Sequence, residues 1–227
     1  MTAFPAPHAP SLSPRGLLVL AAVSAMTAAV IFLSLSWKVA TYAPIVLTDV
    51  EIANWLHNHG TPELTAFMIA VSDFHGVVGT ALVALVLGAV LAWLRQWYWL
   101  GTLALAMGGG MAINSLLKEA FARVRPYFDD PWVWLTSHSF PSGHTAGAVL
   151  FYGVLAAFLV SRFYAPRQRL ACLAGAVSAI VLVAFSRMYL GAHYLSDVLA
   201  AACSSAVWLV FCLAAVHQVV RRRMHGR

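Results

Sequence analysis

The chain has 227 residues, of which 61% are hydrophobic and 10% are charged, and its mean hydropathy is +0.80. These values lie outside the range of soluble globular proteins and indicate a polytopic membrane protein. The formal net charge of +6 is compatible with nucleic acid or anionic lipid as a partner. The positions of the charges along the chain decide between them.

Six apolar stretches are long enough for bilayer-spanning helices, which need about 20 residues each. They cover approximately residues 16–37, 66–93, 98–117, 145–161, 170–186 and 194–219. The predicted fold class is therefore all-α, with a single six-helix transmembrane domain over residues 16–220. The first stretch is longer than the apolar part of a signal peptide, so we expect it to be retained. The run Gly108-Gly109-Gly110 in the third indicates a close helix–helix contact.

The segments outside these stretches are short. Residues 1–15 are predicted to be a disordered tail and residues 221–227 a basic tail. Residues 38–65, between the first two spans, interleave apolar with acidic side chains. This pattern predicts an amphipathic segment at the outer membrane surface that helps to gate lateral entry of a lipid. A plain surface connector accounts for the same pattern equally well.

The arginines indicate the orientation in the membrane. With six spans both termini lie on the same side, and this side carries Arg15, Arg95, Arg162, Arg167, Arg169, Arg221, Arg222, Arg223 and Arg227. The positive-inside rule makes that side cytoplasmic. All eight acidic residues fall on or near the opposite side. The basic balance therefore reflects topology, and no nucleic-acid partner is expected.

Three clusters of polar residues interrupt the apolar sequence, and the topology places all of them on the outer face. They are Lys118 with Arg125-Pro126, then Pro141-Ser142-Gly143-His144, and then Ser186-Arg187 with His193 and Asp197. The first two occupy the loop between the third and fourth spans, and the last flanks the loop between the fifth and sixth. Residues distant in sequence are therefore expected to meet at one membrane boundary.

The residue types in these clusters suit phosphoryl binding and transfer. Arginine binds phosphate through two parallel hydrogen bonds, and lysine adds a point charge. Ser142 is a candidate N-cap for a helix whose first amides face an anion, and Gly143 allows a ligand to approach the backbone. Asp197 lies on the same helical face as His193, where a carboxylate fixes the imidazole tautomer and leaves the other nitrogen nucleophilic. His144 is placed to protonate a leaving oxygen.

Several of these residues also have a purely structural interpretation that does not involve phosphate. A cation at a helix end commonly extends toward lipid headgroups, and Arg123, which has no place in the pattern, is assigned this role. The His193–Asp197 pair also suits a structural hydrogen bond between helices, although that reading leaves the cations unexplained. Asp73 and His75 fit no motif. They either line an entrance or sit at the membrane interface, and the second reading is slightly favoured.

The identity, order and spacing of the cluster residues, over 118–197, resemble the signature of the type-2 phosphatidic acid phosphatase family. The resemblance implies a metal-independent phosphatase without a cofactor that works through a phosphohistidine. By position, His193 is its nucleophile, Asp197 orients His193, and His144 is the general acid. The residues implied to bind the substrate phosphate are Lys118, Arg125, Ser142, Gly143 and Arg187.

Bacterial members of the membrane-integral branch act on lipid phosphates at the outer face of the cytoplasmic (inner) membrane. The resemblance thus implies a substrate such as undecaprenyl pyrophosphate, phosphatidylglycerol phosphate or phosphatidic acid. A lipid-to-lipid phosphotransferase and a non-catalytic lipid-phosphate transporter or scramblase remain open as alternatives. A metal hydrolase with His144, His193 and Asp197 as ligands is disfavoured by the adjacent cations. The lipid preference and the oligomeric state do not follow from the sequence.

Overall fold

The structure of the chain, a computed structural model, describes residues 14–225. This part is all-helical, as predicted. It comprises α1 (Pro14–Ala40), α2 (Ile45–Asn58), α3 (Pro62–Phe74), α4 (Val77–Trp93), α5 (Trp97–Phe121), α6 (Gly143–Arg162), α7 (Pro166–Tyr189) and α8 (Leu195–His225). Apart from its last two residues, the predicted tail 1–15 lies outside the described residues, as do residues 226–227 of the predicted basic tail.

Five of these helices (α1, α5, α6, α7 and α8) are long and apolar enough to cross a membrane. Helices α3 and α4 reach the same criterion together, as a pair bent by 53°. The chain therefore has up to six spans, and it is a multi-pass membrane protein. The prediction of one continuous span over 66–93 was wrong, because this stretch contains two helices.

The bend between α3 and α4 has a local cause at residues 75–79. Gly76 is the N-cap of α4 and is extended, with φ −64° and ψ 178°. Gly79 packs against the end of α3 so closely that a β-carbon there would lie 2.0 Å from the carbonyl oxygen of Phe74. His75 contacts the Val71 carbonyl through Nδ1 and the Tyr152 hydroxyl through Nε2, each at 2.8 Å. The two glycines permit the sharp turn, and His75 fixes it against α6.

Helix α6 is the central helix of the bundle, and its apolar side chains form the main core with α4, α5 and α8. The buried members of this core are Leu91, Leu103, Ala106, Leu150, Phe151, Val154, Phe158 and Cys212. The predicted close contact at the glycine run is confirmed at two of its three positions. A β-carbon on Gly109 would lie 2.4 Å from the indole of Trp208, and one on Gly110 would lie 2.4 Å from Leu150.

The glycine run allows a stability prediction with a matched control. A methyl group at Gly110 would overlap Leu150 and Trp208, whereas Gly108 has no neighbouring atom within 4 Å of such a methyl. We expect Gly110→Ala to reduce the free energy of unfolding by about 1–3 kcal/mol through overpacking. Gly108→Ala is expected to be neutral or slightly stabilising, because alanine favours helix. Thermal unfolding in detergent measures both. Equal unfolding temperatures for the two variants would contradict the α5–α6 contact.

Helix α2 packs against the long loop between α5 and α6, residues 122–142. His57, near the end of α2, stacks on Phe128 and Trp132 with ring centroids 4.0 and 4.6 Å apart, and its Nε2 lies 3.0 Å from Asp130. The inner face of α2 buries Asp49, Ala53 and Leu56. The loop and α2 together therefore cover the end of the bundle at which the three sequence clusters lie.

Candidate active site

The structure brings the three sequence clusters together at one end of the helix bundle. Nη1 of Arg125 lies 3.2 Å from Nε2 of His193, which joins the first cluster to the third. The Ser142 amide donates to the carbonyl of Asp197 at 3.2 Å, which joins the second to the third. A β-carbon on Gly143 would lie 3.8 Å from Cε of Lys118, so the first cluster also borders the second. The predicted convergence is thus observed.

The turn after α7 positions His193. The chain turns at Gly191, whose φ of +65° favours glycine, and a β-carbon there would lie 2.6 Å from the Phe128 ring. The amide of His193 donates to the Arg187 carbonyl at 3.1 Å. The imidazole is 1% exposed. The end of α7, through Arg187, and the outer loop, through Phe128, therefore fix the turn that carries the buried imidazole.

The two nitrogens of His193 have different surroundings. Nδ1 lies 3.5 Å from the Ser139 hydroxyl and 3.6 Å from Oδ2 of Asp197. Nε2 faces Arg125, and a guanidinium has only donors, so Nε2 accepts. Burial lowers the pKa of His193 to about 3. The charges of Arg125 and Arg187 act in the same direction, and the Asp197 carboxylate acts in the opposite one. The imidazole is therefore neutral near pH 7, with its proton on Nδ1 and a lone pair on Nε2.

Asp197 is fully buried and hydrogen-bonded on both oxygens. Oδ2 accepts from the Ser139 hydroxyl at 2.5 Å and from the Tyr194 amide at 2.9 Å, and Oδ1 accepts from Nη1 of Arg123 at 2.5 Å. Ser139 had no place in the sequence motifs. It stands between the carboxylate and the imidazole, within hydrogen-bonding distance of both.

Arg123 does not extend to lipid headgroups, so this prediction was wrong. Its side chain is 10% exposed and is paired with two buried carboxylates, at 2.5 Å from Asp197 and at 2.9 Å from Asp49. Arg123 and Arg125 lie in a non-helical segment after α5. The sequence signal that was available is the closeness of Arg123 to Arg125, two positions away, which places both at the same end of α5. Asp49 offered none, because its partners lie more than 70 residues away.

The three predicted phosphate-binding cations differ in how many of their N–H donors already make hydrogen bonds to other residues of the protein. Nζ of Lys118 donates to the His138 carbonyl at 2.6 Å. Arg125 holds the outer loop and the α7–α8 turn through the carbonyls of Ser137, His138 and Ala192. The charges of these two residues and Arg187 repel one another. An anion among them would relieve this repulsion.

Arg187 is 2% exposed and donates through Nη1 to the Ser72 hydroxyl. Its Nε has no hydrogen-bond partner within residues 14–225, and neither has Nδ2 of Asn114. Asn114 was missed in the sequence, although it lies one helical turn before Lys118. Its Oδ1 would be 3.5 Å from a β-carbon on Gly143. Each of these two side chains therefore borders the region between the clusters with one N–H group that has no hydrogen-bond partner among the described residues.

Ser142 caps α6, as the sequence predicted. Its hydroxyl accepts from the Thr145 amide at 3.5 Å and from the Thr145 hydroxyl at 3.1 Å. His144, in the first turn, lines a cavity of about 420 Å³ together with Arg187 and with Ser72 and Asp73 of α3. Asp73 thus lines this cavity and is exposed, which is compatible with both positions considered for it in the sequence. His75 instead points to Tyr152 in the interior.

The cavity extends from His144 to the bend between α3 and α4. Its outer wall contains Val77 and Val78, which are 83% and 72% exposed on the surface of the bundle. Its roof is formed by Val133, Trp134 and Leu135 of the outer loop. The lining of this cavity therefore combines polar side chains, at Ser72, Asp73, His144 and Arg187, with apolar side chains of α4 and the outer loop. Over the described part of the chain, no three His, Cys, Asp or Glu residues are grouped so as to hold a metal ion.

The fold and the site define a helical multi-pass membrane protein in which cationic side chains surround a buried histidine. Residues 99–221, more than half of the chain, match the PAP2 superfamily, and the chain belongs to this family. It is also 41% identical over 117 residues to phosphatidylglycerophosphatase B of Bacillus subtilis strain 168. That match covers 50% of this chain and 56% of the relative's length.

Two solved structures are similar in fold. One is the crystal structure of a transmembrane PAP2-type phosphatidylglycerolphosphate phosphatase from Bacillus subtilis, with a TM-score of 0.77 and 29% identity over 87% of this chain and 97% of that one. The other is LpxE of Aquifex aeolicus, with a TM-score of 0.60 and 23% identity over 74% of this chain and 95% of that one. The first supports the family assignment, and the second supports the fold alone.

Proposed function

We propose that the chain is an integral membrane phosphatase that hydrolyses a phosphomonoester or diphosphate of a membrane lipid through a phosphohistidine on His193. The observation that carries this proposal is the geometry around His193, a buried imidazole whose Nε2 lies 3.2 Å from Arg125 and whose Nδ1 lies 3.6 Å from Asp197. A structural histidine gains nothing from the surrounding repelling cations, whereas a nucleophile for phosphate requires them.

The proposed reaction has two balanced steps. Nε2 of His193 attacks phosphorus, the N–P bond forms, and the P–O bond to the lipid breaks. The imidazolium form of His144, whose charge the bound phosphate compensates, gives its proton to the leaving oxygen and becomes neutral. The phosphohistidine ring is then cationic, with its Nδ1 proton directed at Ser139 and Asp197. In the second step His144 takes a proton from water, which attacks phosphorus and releases inorganic phosphate and neutral His193.

Lys118, Arg125 and Arg187 neutralise the charge on the transferring group in this proposal. The Gly143 amide and the other first amides of α6, oriented by the Ser142 cap, add donors at the helix N-terminus. Both oxygens of Asp197 are already engaged by Ser139, Tyr194 and Arg123. Together with the three cations, this donor set is unsuited to a divalent ion, and we propose a reaction without metal or cofactor.

The mixed polar and apolar lining of the cavity supports a lipid phosphate as the substrate. A lipid tail can remain beside Val77 and Val78 while its phosphate reaches Arg187 and His144. The Bacillus subtilis relatives are named for phosphatidylglycerol phosphate. We therefore place phosphatidylglycerol phosphate first, ahead of undecaprenyl pyrophosphate and phosphatidic acid. The arginine distribution supports cytoplasmic termini, a single domain over 16–220 in the cytoplasmic membrane, and an outward-facing site.

Phosphate release by the purified protein in detergent tests this function. Phosphatidylglycerol phosphate, phosphatidic acid and undecaprenyl pyrophosphate would each be supplied with excess chelator. We expect chelator-resistant release from at least one of them, fastest from phosphatidylglycerol phosphate. Release of phosphate only when a second lipid is added, with that lipid phosphorylated, would indicate a phosphotransferase instead. A folded sample that releases no phosphate from any of the three would contradict the proposal.

A further inference from the structure

A chain of buried charges connects α2 with the site, and the proposed reaction does not use it. Asp49 of α2 is 2% exposed, and its Oδ2 accepts from Nη2 of Arg123 at 2.9 Å. Nη1 of Arg123 donates to Oδ1 of Asp197 at 2.5 Å. Oδ2 of Asp197 lies 3.6 Å from Nδ1 of His193. The series Asp49–Arg123–Asp197 therefore reaches from α2 to the proposed nucleophile, which Asp197 approaches both directly and through the Ser139 hydroxyl.

Ser196 holds the outer half of this series in place. Its amide donates to Oδ1 of Asp49 at 3.0 Å, and its hydroxyl donates to Oδ2. The same hydroxyl accepts from Nη1 of Arg123 at 2.7 Å. The guanidinium also lies over the ring of Tyr194, with 4.4 Å between its carbon and the ring centroid. Arg123 is thus oriented by two carboxylates, a hydroxyl and an aromatic face.

Such a network is not explained by stability alone. Burying ions costs more than their attraction commonly returns, so an apolar arrangement of the same volume would stabilise the fold at least as well. Burial lowers the pKa of Arg123, but the charge of Asp197 and the hydrogen bonds to Asp49 and Asp197 outweigh burial. The pKa of Arg123 is therefore raised above its ordinary value. Arg123 therefore stays cationic, and it compensates a carboxylate that would otherwise be a strong base beside His193.

We propose that Asp49 and Arg123 are positioning residues, which hold Asp197 so that His193 keeps its proton on Nδ1 and presents Nε2 to the substrate. The inference rests on the function proposed above. Without Arg123, one oxygen of Asp197 loses its charged partner, and the carboxylate is free to rotate and to draw the Nδ1 proton. Without the Asp49 charge, Arg123 loses the partner that sets its orientation. The amphipathic helix α2 thereby supplies a residue that the site needs.

The test compares four variants in which the charge or the geometry of the series changes. Arg123→Gln is expected to lower kcat about 100-fold and Asp49→Asn about 10-fold, with KM within about threefold, as for residues coupled through one network. Arg123→Lys keeps the charge and is expected to recover about tenfold over Arg123→Gln. The double variant Asp49→Asn/Arg123→Gln should be no slower than Arg123→Gln, because the two residues act in series. Glu51→Gln, which removes an exposed carboxylate of the same helix, is the matched control and should not change kcat.

A spectroscopic measurement separates positioning from a structural role. In protein labelled with ¹⁵N-histidine, the His193 signals are identified by their absence from His193→Ala. We expect one tautomer in the wild type, with an unprotonated Nε2, and a mixture of tautomers in Arg123→Gln. Variants that retain this single tautomer, or that retain wild-type kcat, would overturn the proposal. If Arg123→Gln does not fold, Asp49→Asn and Arg123→Lys decide it. If the wild type releases no phosphate, the proposed function fails, and the tautomer still tests the positioning.

Discussion

His193→Ala is expected to lower kcat for lipid phosphate hydrolysis by about 10⁴-fold or more, with the fold retained. Nε2 carries the unprotonated lone pair of the imidazole and lies 3.2 Å from the guanidinium of Arg125. Alanine leaves the three cations and His144 in place but supplies no atom to form the N–P bond. Phosphate release from the preferred lipid, with chelator present, measures the effect.

The control for this variant is His59→Ala. His59 is exposed on the end of α2 and contacts the Trp55 carbonyl through Nδ1 at 2.8 Å, so its removal should leave kcat near the wild-type value. Because His193 is buried, the unfolding temperature of His193→Ala must be measured beside its activity. A folded His193→Ala variant with more than about one-tenth of wild-type turnover would remove His193 as the nucleophile.

Arg125→Lys is expected to lower kcat by about 10²–10³-fold, even though the charge is kept. The guanidinium reaches five groups at once. Nε donates to the Ser137 carbonyl at 2.7 Å, and Nη2 donates to the Ser137 hydroxyl at 3.0 Å and to the His138 carbonyl at 3.1 Å. Nη1 donates to the Ala192 carbonyl and lies beside Nε2 of His193. A single ammonium cannot span these positions. The outer loop and the turn that carries His193 would therefore separate, and the fork that could bind phosphate would be lost.

Arg167→Lys is the matched control for Arg125→Lys. Arg167 is exposed at the start of α7, at the opposite end of that helix from Arg187, and the same exchange there should leave kcat unchanged. Steady-state kinetics on both variants, with thermal unfolding as the check on folding, gives the comparison. Equal turnover by Arg125→Lys and the wild type would place Arg125 outside the phosphate-binding set and leave it a structural role in the loop.

The features that the sequence predicted are those set by local pattern. The span count follows from continuous apolar length, and the cap at Ser142 follows from a serine and a glycine immediately before an apolar run. The convergence of the clusters follows from topology alone, because alternate loops of a membrane bundle lie on the same side. The prediction that His193 and Asp197 share a helical face was wrong, because His193 lies in the turn before α8. The short spacing still keeps Nδ1 of His193 3.6 Å from Oδ2 of Asp197.

The features that the sequence did not predict depend on contacts between distant segments. The bend between α3 and α4 required Gly76, Gly79 and His75 to act together, and the Tyr152 partner of His75 lies 77 positions away. The roles of Asp49 and Arg123 depend on the hydrogen bond between them, and the two residues lie 74 positions apart in the sequence. An exposed and a buried arginine look alike in a sequence, so Arg123 was assigned to the membrane surface. Its burial is a property of the tertiary fold.

The measurement that tests the central claim most directly is the trapping of the phosphoenzyme. The purified protein would be mixed with phosphatidylglycerol phosphate carrying a labelled terminal phosphate, quenched in alkali within the first turnover, and digested for mass spectrometry. The account predicts acid-labile phosphate on the peptide that contains His193, formed at a rate no slower than kcat and absent from His193→Ala. Turnover by the wild type without phosphate on His193, or with phosphate on another residue, would contradict it.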